Sequence, residues 1–328
     1  MTGHRAAPPY FCRMRNALVV SLLFAALSLA ACGPALDDRE RAAEAAYPPQ
    51  GQFVEVAGRR VHAVVTGQGP DLVLIHGASG NVRDFTFGFV DRVKSRYRVI
   101  VFDRPGLGYS DPIPGGDSPR AQARALRAAA SQLGVTNPIV LGQSYGAAVA
   151  LAWGLEAPDA TAGLVTVSGT TLPWPKELTS QSAVIGTART RATLAPLIAA
   201  LADEADATGP LRLVFSPQRP PAGYADFVGV GLALRRDTIR NNARQIAALR
   251  DSLMEMSRDY RDLRLPVEIV HGTADRIVSP EIHATPLTRR LPNARLRLIP
   301  RGGHMPHHTH PGEVIAAIDR VARRVSQR

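Results

Sequence analysis

Ser144 sits in Gly142-Gln143-Ser144-Tyr145-Gly146, directly behind the apolar run Pro138-Ile139-Val140-Leu141. A serine between two glycines at a strand-to-helix junction is lifted onto a tight turn, and the glycines keep Cβ atoms out of the bend. A serine hydroxyl is a weak nucleophile at its own pKa, so it needs a base to take its proton and an acid to orient that base. Asp275, in His271-Gly272-Thr273-Ala274-Asp275, and His304, in Gly302-Gly303-His304, supply those two types further along the chain. Together the three residue types suit covalent acyl transfer: Ser144 as nucleophile, His304 as general base, Asp275 as the group that fixes the histidine tautomer. Asp275 has a second reading as a turn aspartate ahead of the helix signalled by Ser279-Pro280. Asp103 is the runner-up acid, although its place in a turn suggests local hydrogen bonding.

These residues need a scaffold of alternating strands and helices. Short apolar runs predict strands at Phe53 to Val56, Arg60 to Thr66, Leu72 to Ile75, Val99 to Phe102, Ile139 to Leu141, Gly163 to Val167, Val267 to Val270 and Leu296 to Ile299. Between them lie helices: one capped by Ser118-Pro119 and running to about Leu133, one through Ala147 to Leu155, and a last one from Pro311 to Val325. This alternation predicts an α/β fold with an eight-stranded, mostly parallel sheet and helices on both faces. The rhythm stops near Trp174. From there to about Leu263 only helical patterns occur, Ser180 to Leu201 and Tyr224 to Tyr260, which predicts an inserted helical cap at 174–263 within a core of 51–173 and 264–328. In an open parallel sheet the carboxyl ends of the strands form the ligand crevice, and Ser144, Asp275, His304 and the His76-Gly77-Ala78-Ser79-Gly80-Asn81 turn all fall just after predicted strands.

With the His76-Gly77 turn, the segment Asp103-Arg104-Pro105-Gly106-Leu107-Gly108-Tyr109-Ser110, the Ser144 elbow and the Gly303-His304 end in this order, the chain resembles the α/β-hydrolase superfamily from about Phe53 onward. The resemblance implies a serine hydrolase whose oxyanion hole is made by the backbone N–H groups of Ala78 and Tyr145. It makes His76 a structural member of the oxyanion turn. A serine at position 144 sets the chain apart from the superfamily branches that use aspartate there, the haloalkane dehalogenase-like and epoxide hydrolase-like ones. The short turn after His76-Gly77 sets it apart from those with an HGGG run. The implied reaction is cleavage of a small to medium, mostly apolar carboxylic ester under a cap that has Trp174, Phe215, Phe227 and Leu234, with Leu178, Ile185, Leu194 and Leu197, available to line it. Haloperoxidase or perhydrolase activity, C–C bond hydrolysis and proline iminopeptidase-like cleavage use the same three residues and are the alternatives. A surface lipoprotein that only binds a ligand would have no need of them.

The implied chemistry needs no cofactor. Met305-Pro306-His307-His308-Thr309-His310 raises the question of a metal, but no cysteine or second carboxylate stands near it in sequence, and His307 and His308 are expected to pack and hydrogen-bond beside the site. The formal net charge is +11, yet the arginines are scattered and lysine occurs only at Lys94 and Lys176, a pattern unlike a nucleic-acid-binding face. The two cysteines, Cys12 and Cys32, precede the predicted globular region, so that region has no thiol for a disulfide or a thiolate metal site. Residues 1–32 read as a secretory signal, with Arg13 and Arg15 ahead of an apolar stretch and Met14 as an alternative start. Leu29-Ala30-Ala31-Cys32 resembles the lipobox of bacterial lipoproteins, which implies a lipid on Cys32 and a membrane-anchored place in the cell envelope, facing the periplasm or the exterior. Residues 33–50, polar and Ala-rich, are expected to be a flexible tether.

Overall fold

The computed structural model describes residues 34–175 and 208–327. The signal segment, Cys32 and the cap stretch containing Leu178, Ile185, Leu194 and Leu197 lie outside the described residues. In chain order the elements are α1 (residues 34–46), β1 (Gln52–Val56), β2 (Arg59–Thr66), β3 (Asp71–Ile75), α2 (Arg83–Thr86), α3 (Phe89–Val93), β4 (Arg98–Phe102), α4 (Pro119–Gln132), β5 (Ile139–Gln143), α5 (Tyr145–Glu156) and β6 (Gly163–Val167). They continue with α6 (Thr208–Phe215), α7 (Tyr224–Val228), α8 (Val230–Ala233), α9 (Arg236–Met256), β7 (Val267–Gly272), α10 (Ala284–Arg290), β8 (Ala294–Ile299), α11 (Pro306–Thr309) and α12 (Pro311–Ser326).

The strands form one eight-stranded sheet in the order β1-β2-β4-β3-β5-β6-β7-β8. β1 and β2 pair antiparallel, as do β2 and β4, and every other pairing is parallel. Strands β5, β6 and β7 are buried along their whole length, which explains why they read as mainly apolar runs rather than as alternating patterns, with Glu268 and His271 the charged and titratable exceptions in β7. Successive side chains still go to opposite faces. Val73 and Ile75 of β3 join a core with α4, α5 and α9, whereas Leu72 and Leu74 join one with α3 and α12. α5 is apolar all round because it is covered on all sides, and Val149 and Leu151 have no exposed surface.

Some expectations need correction. The predicted tether is not loose over its length: residues 34–46 form α1, whose Leu36 and Ala43 are buried. The helix is fastened by ion pairs from Arg236 to Asp37 and Glu40 and from Arg235 to Glu44. The helical stretch from Tyr224 divides into three, because Gly229 takes a left-handed conformation (φ 65°) and Leu234 ends α8. Ser118 stands at the N-cap of α4 with extended φ and ψ but makes no side-chain cap bond. The helix expected from Ser279 begins at Ala284. Among the described residues between β6 and β7 there is no strand, and α9, which lies within the segment expected to be a cap, also packs on the core: Leu249, Leu253 and Met256 belong to the same buried cluster as the sheet.

Candidate active site

The bend after β5 is forced by close packing. A Cβ on Gly142 would overlap the carbonyl oxygen of Gly146, and one on Gly146 would overlap the carbonyl oxygen of Ile75, so both positions exclude any other residue. Ser144 itself carries the strain, at φ 52° and ψ −117°, a region that residues with a Cβ seldom enter. Its backbone is held on both sides: the N–H donates to Val167 O at 2.9 Å, and its carbonyl accepts from Thr170 N at 3.1 Å. The result is a half-buried hydroxyl at the carboxyl edge of the sheet.

Ser144 Oγ lies 3.0 Å from His304 Nε2, and His304 Nδ1 lies 2.8 Å from Asp275 Oδ2. An ionised carboxylate only accepts, so His304 donates from Nδ1 and presents a bare Nε2 to the Ser144 hydroxyl. The three residues come from the ends of β5, β7 and β8. Asp275 is fixed by backbone donors as well, from Ile277 and Val278 to Oδ1 at 2.9 Å each. Burial alone would raise the Asp275 pKa, but the charge and hydrogen bonds of His304 and His271 more than reverse this and hold it well below the usual carboxylate range. His271 stands 3.2 Å from Asp275 Oδ2 and donates to Val278 O at 2.8 Å, a support that its position in β7 did not advertise.

The turn bearing Ala78 lies against the elbow. A Cβ on Gly77 would stand 3.0 Å from the Cβ of Ser144, so glycine is needed there for the two loops to meet. The Tyr145 N–H opens α5 and has no partner within its own helix. His76 is fully buried, donates from Nδ1 to Gly77 O at 2.8 Å and accepts at Nε2 from the Arg104 N–H at 3.0 Å. Burial, with the Arg104 guanidinium beside it, pushes His76 down to about 4, so the ring is neutral at physiological pH. Asp103 is spent elsewhere. Its carboxylate accepts from His62 Nδ1 and Val82 N at 2.7 Å and from Tyr109 N at 2.8 Å, which ties the Asp103-Arg104-Pro105-Gly106 turn together.

His307 and His308 pack beside the site, and the carboxylate that sequence spacing did not supply is Asp84, more than 200 positions away. Asp84 accepts from His307 at 3.1 Å, from His308 at 2.8 Å and from the Tyr224 hydroxyl at 2.7 Å. The ligand atoms of Asp84, His307 and His308 lie within 4.8 Å of one another, a donor set that can hold a metal ion. A ligating imidazole normally donates its far N–H to an acceptor, and His307 Nδ1 is buried with no hydrogen-bond partner. Three donors on one carboxylate account for the cluster without an ion. Burial, with His308 alongside, depresses His307 to about 4. Arg104 is the other residue that sequence reading missed as a site component. The one available signal was a charged residue two positions past the buried β4 run.

The sequence pattern of the Alpha/beta hydrolase family matches residues 72–318, a span that contains the elbow, Asp275 and His304. The chain belongs to the α/β hydrolase family. This α/β hydrolase is 33% identical over 276 residues to a polyketide synthase, ThaQ, of Burkholderia thailandensis, a match that takes in 81% of the chain but only 12% of the synthase. It is 27% identical over 289 residues to a pimeloyl-[acyl-carrier protein] methyl ester esterase of Nitrosomonas europaea, covering 79% of this hydrolase and 98% of that esterase. Among solved structures, a thermophilic esterase from Thermogutta terrifontis superimposes with a TM-score of 0.67 at 23% identity, over 84% of this chain and 99% of that one, and shares the fold.

Proposed function

We propose that this enzyme is a serine hydrolase acting on small to medium, mostly apolar carboxylic esters. The observation that carries the proposal is the continuous line from Asp275 through His304 to Ser144 Oγ, with two hydrogen-bond distances of 2.8 and 3.0 Å. In this reading His304 Nε2 takes the Ser144 proton as Oγ attacks the ester carbonyl carbon. The carbonyl π pair moves to oxygen and is met by the N–H groups of Tyr145 and Ala78. His304 then gives its proton to the departing alkoxide, leaving an acyl-enzyme, and water repeats the sequence to release the acid. Asp275 keeps the Nδ1–H tautomer and stabilises the imidazolium.

The ester assignment draws support from the methyl ester esterase relative, 98% of whose length the match covers. The anchoring proposed with it rests on Leu29-Ala30-Ala31-Cys32: a lipid on Cys32 would hold the enzyme on a membrane of the bacterial cell envelope. Helix α1 starts two residues later and is docked on the protein.

A panel of p-nitrophenyl and methyl esters of graded acyl length, assayed beside the Ser144→Ala variant, tests the reaction. The expected result is turnover of the shorter apolar esters that disappears in the variant. Wild-type turnover in Ser144→Ala would overturn the mechanism. Faster peroxide-dependent bromide oxidation with acetate than cleavage of any ester would keep the three residues and overturn the ester assignment. Globomycin treatment or Cys32→Ser should release the protein from membranes, and unchanged membrane association would remove the anchor.

A further inference from the structure

We infer that Arg104 is a positioning residue for the oxyanion hole, gripping both backbone segments that form it; the inference rests on the reading of Ala78 and Tyr145 given above. Arg104 has no exposed surface and, among the described residues, no carboxylate is recorded in an ion pair with it. Burying a cation in this way is costly unless its donors are satisfied. Four of its contacts meet that need. Nε donates to His76 O at 3.0 Å, Nη2 to Gly77 O at 3.0 Å, and Nη1 to Gln122 Oε1 at 3.0 Å and Gln245 Oε1 at 2.6 Å. Burial lowers its pKa to about 10, which leaves the guanidinium charged at neutral pH.

The Gly77 carbonyl is the informative partner. It belongs to the same peptide unit as the Ala78 N–H, and in a planar trans peptide C=O and N–H point in opposite directions. Arg104 on one side of that plane, with His76 Nδ1–H on the same oxygen at 2.8 Å, fixes where the Ala78 N–H points on the other. A charged donor on the carbonyl also polarises the peptide and strengthens its N–H as a donor. The second half of the hole is held by the same group: the guanidinium carbon lies 4.2 Å from the ring centroid of Tyr145, whose backbone N–H is the other donor. Gln245 connects this assembly to α9, since its Nε2 also donates to Pro105 O at 2.8 Å. One planar, five-donor cation therefore sets the spacing between the two backbone donors. A lysine ammonium, a single point charge, cannot span the same partners.

The test compares Arg104→Lys, Arg104→Met and Gln245→Leu with wild type for kcat and KM on a responsive ester and for Ki of an alkylboronic acid, whose tetrahedral serine adduct uses the oxyanion hole. Far-UV circular dichroism and Tm are followed in parallel. Arg104→Lys is expected to lower kcat by roughly 10²-fold, as loss of an oxyanion donor does, with KM changed little. The boronate Ki should rise in step with the fall in kcat, and Gln245→Leu should show a smaller fall of the same kind. A lower Tm with kcat and boronate Ki unchanged in Arg104→Lys would make the residue merely structural and overturn the inference. If Arg104→Met fails to fold, Arg104→Lys and Gln245→Leu decide alone. Failure of the underlying reading looks different: the boronate would then not protect Ser144 from a fluorophosphonate in the wild-type enzyme.

Discussion

Asp275 and Asp84 are both buried carboxylates with two histidines each, and they serve different ends. At Asp275 one histidine, His304, spends its second nitrogen on Ser144, while His271 donates to the backbone of Val278. The chain of contacts thus leads outward to a strained, half-buried hydroxyl. At Asp84 both histidines converge on the carboxylate, Tyr224 joins them, and the far nitrogen of His307 meets nothing. That cluster links α7 to α11, just beyond His304, and holds rather than reacts. What separates the proposed catalytic pair from the Asp84 cluster is where the second ring nitrogen points.

The largest test of this contrast is on the outward-leading side. Ser144→Ala and His304→Ala are each expected to lower kcat by on the order of 10⁶-fold, and the double variant should be no worse than either, because the residues act as one unit. Additive losses in steady-state kinetics would mean that the two do not share a step. Next, Asp275→Asn should lower kcat by about 10⁴-fold with the fold intact. Asp84→Asn should change kcat by less than about tenfold and lower Tm instead. Equal kinetic effects at the two positions would erase the distinction.

A smaller effect separates them by pH. His76 and His307 are buried as neutral rings, with pKa values pushed down by burial to about 4. Below about 6.5 an unfolded chain takes up protons at these positions while the folded one refuses them, so the folded state loses stability as pH falls. Urea midpoints should be level above pH 7 and fall between about pH 6.5 and pH 4, and His307→Gln should make that fall shallower. A pH-independent midpoint across this range would contradict neutral burial of the rings. The smallest effect is expected at α1. Arg236→Ala removes half-exposed ion pairs to Asp37 and Glu40 and should cost no more than about 1 kcal/mol, seen as faster hydrogen exchange in residues 34–46 with catalysis unchanged.

The parts of the fold legible in the sequence are those whose signal is local. Buried strands such as Ile139–Gln143 and Gly163–Val167 are mainly apolar runs, and the two glycines around Ser144 mark the bend by themselves. Asp275 and His304 stood out because each lies in the short loop after a strand, three residues past β7 and five past β8. Asp84 was not: its partners, His307 and His308, are 223 and 224 positions away, and a lone aspartate in a polar turn carries no mark of them. Helix α1 was misread for the same reason, since the arginines that fasten its acids lie nearly 200 positions on. Arg104 looked like one more polar residue in a turn. Its importance comes from the carbonyls and the ring that folding brings around it.

The central claim is that His304 and Asp275 activate Ser144. Labelling with a fluorophosphonate, followed by peptide mass spectrometry, tests it without knowledge of the substrate. The account predicts a single adduct on Ser144 in the wild-type enzyme and in Asp84→Asn, with labelling slowed in Asp275→Asn and abolished in His304→Ala. Labelling of another serine, or undiminished labelling of Ser144 in His304→Ala, would contradict it.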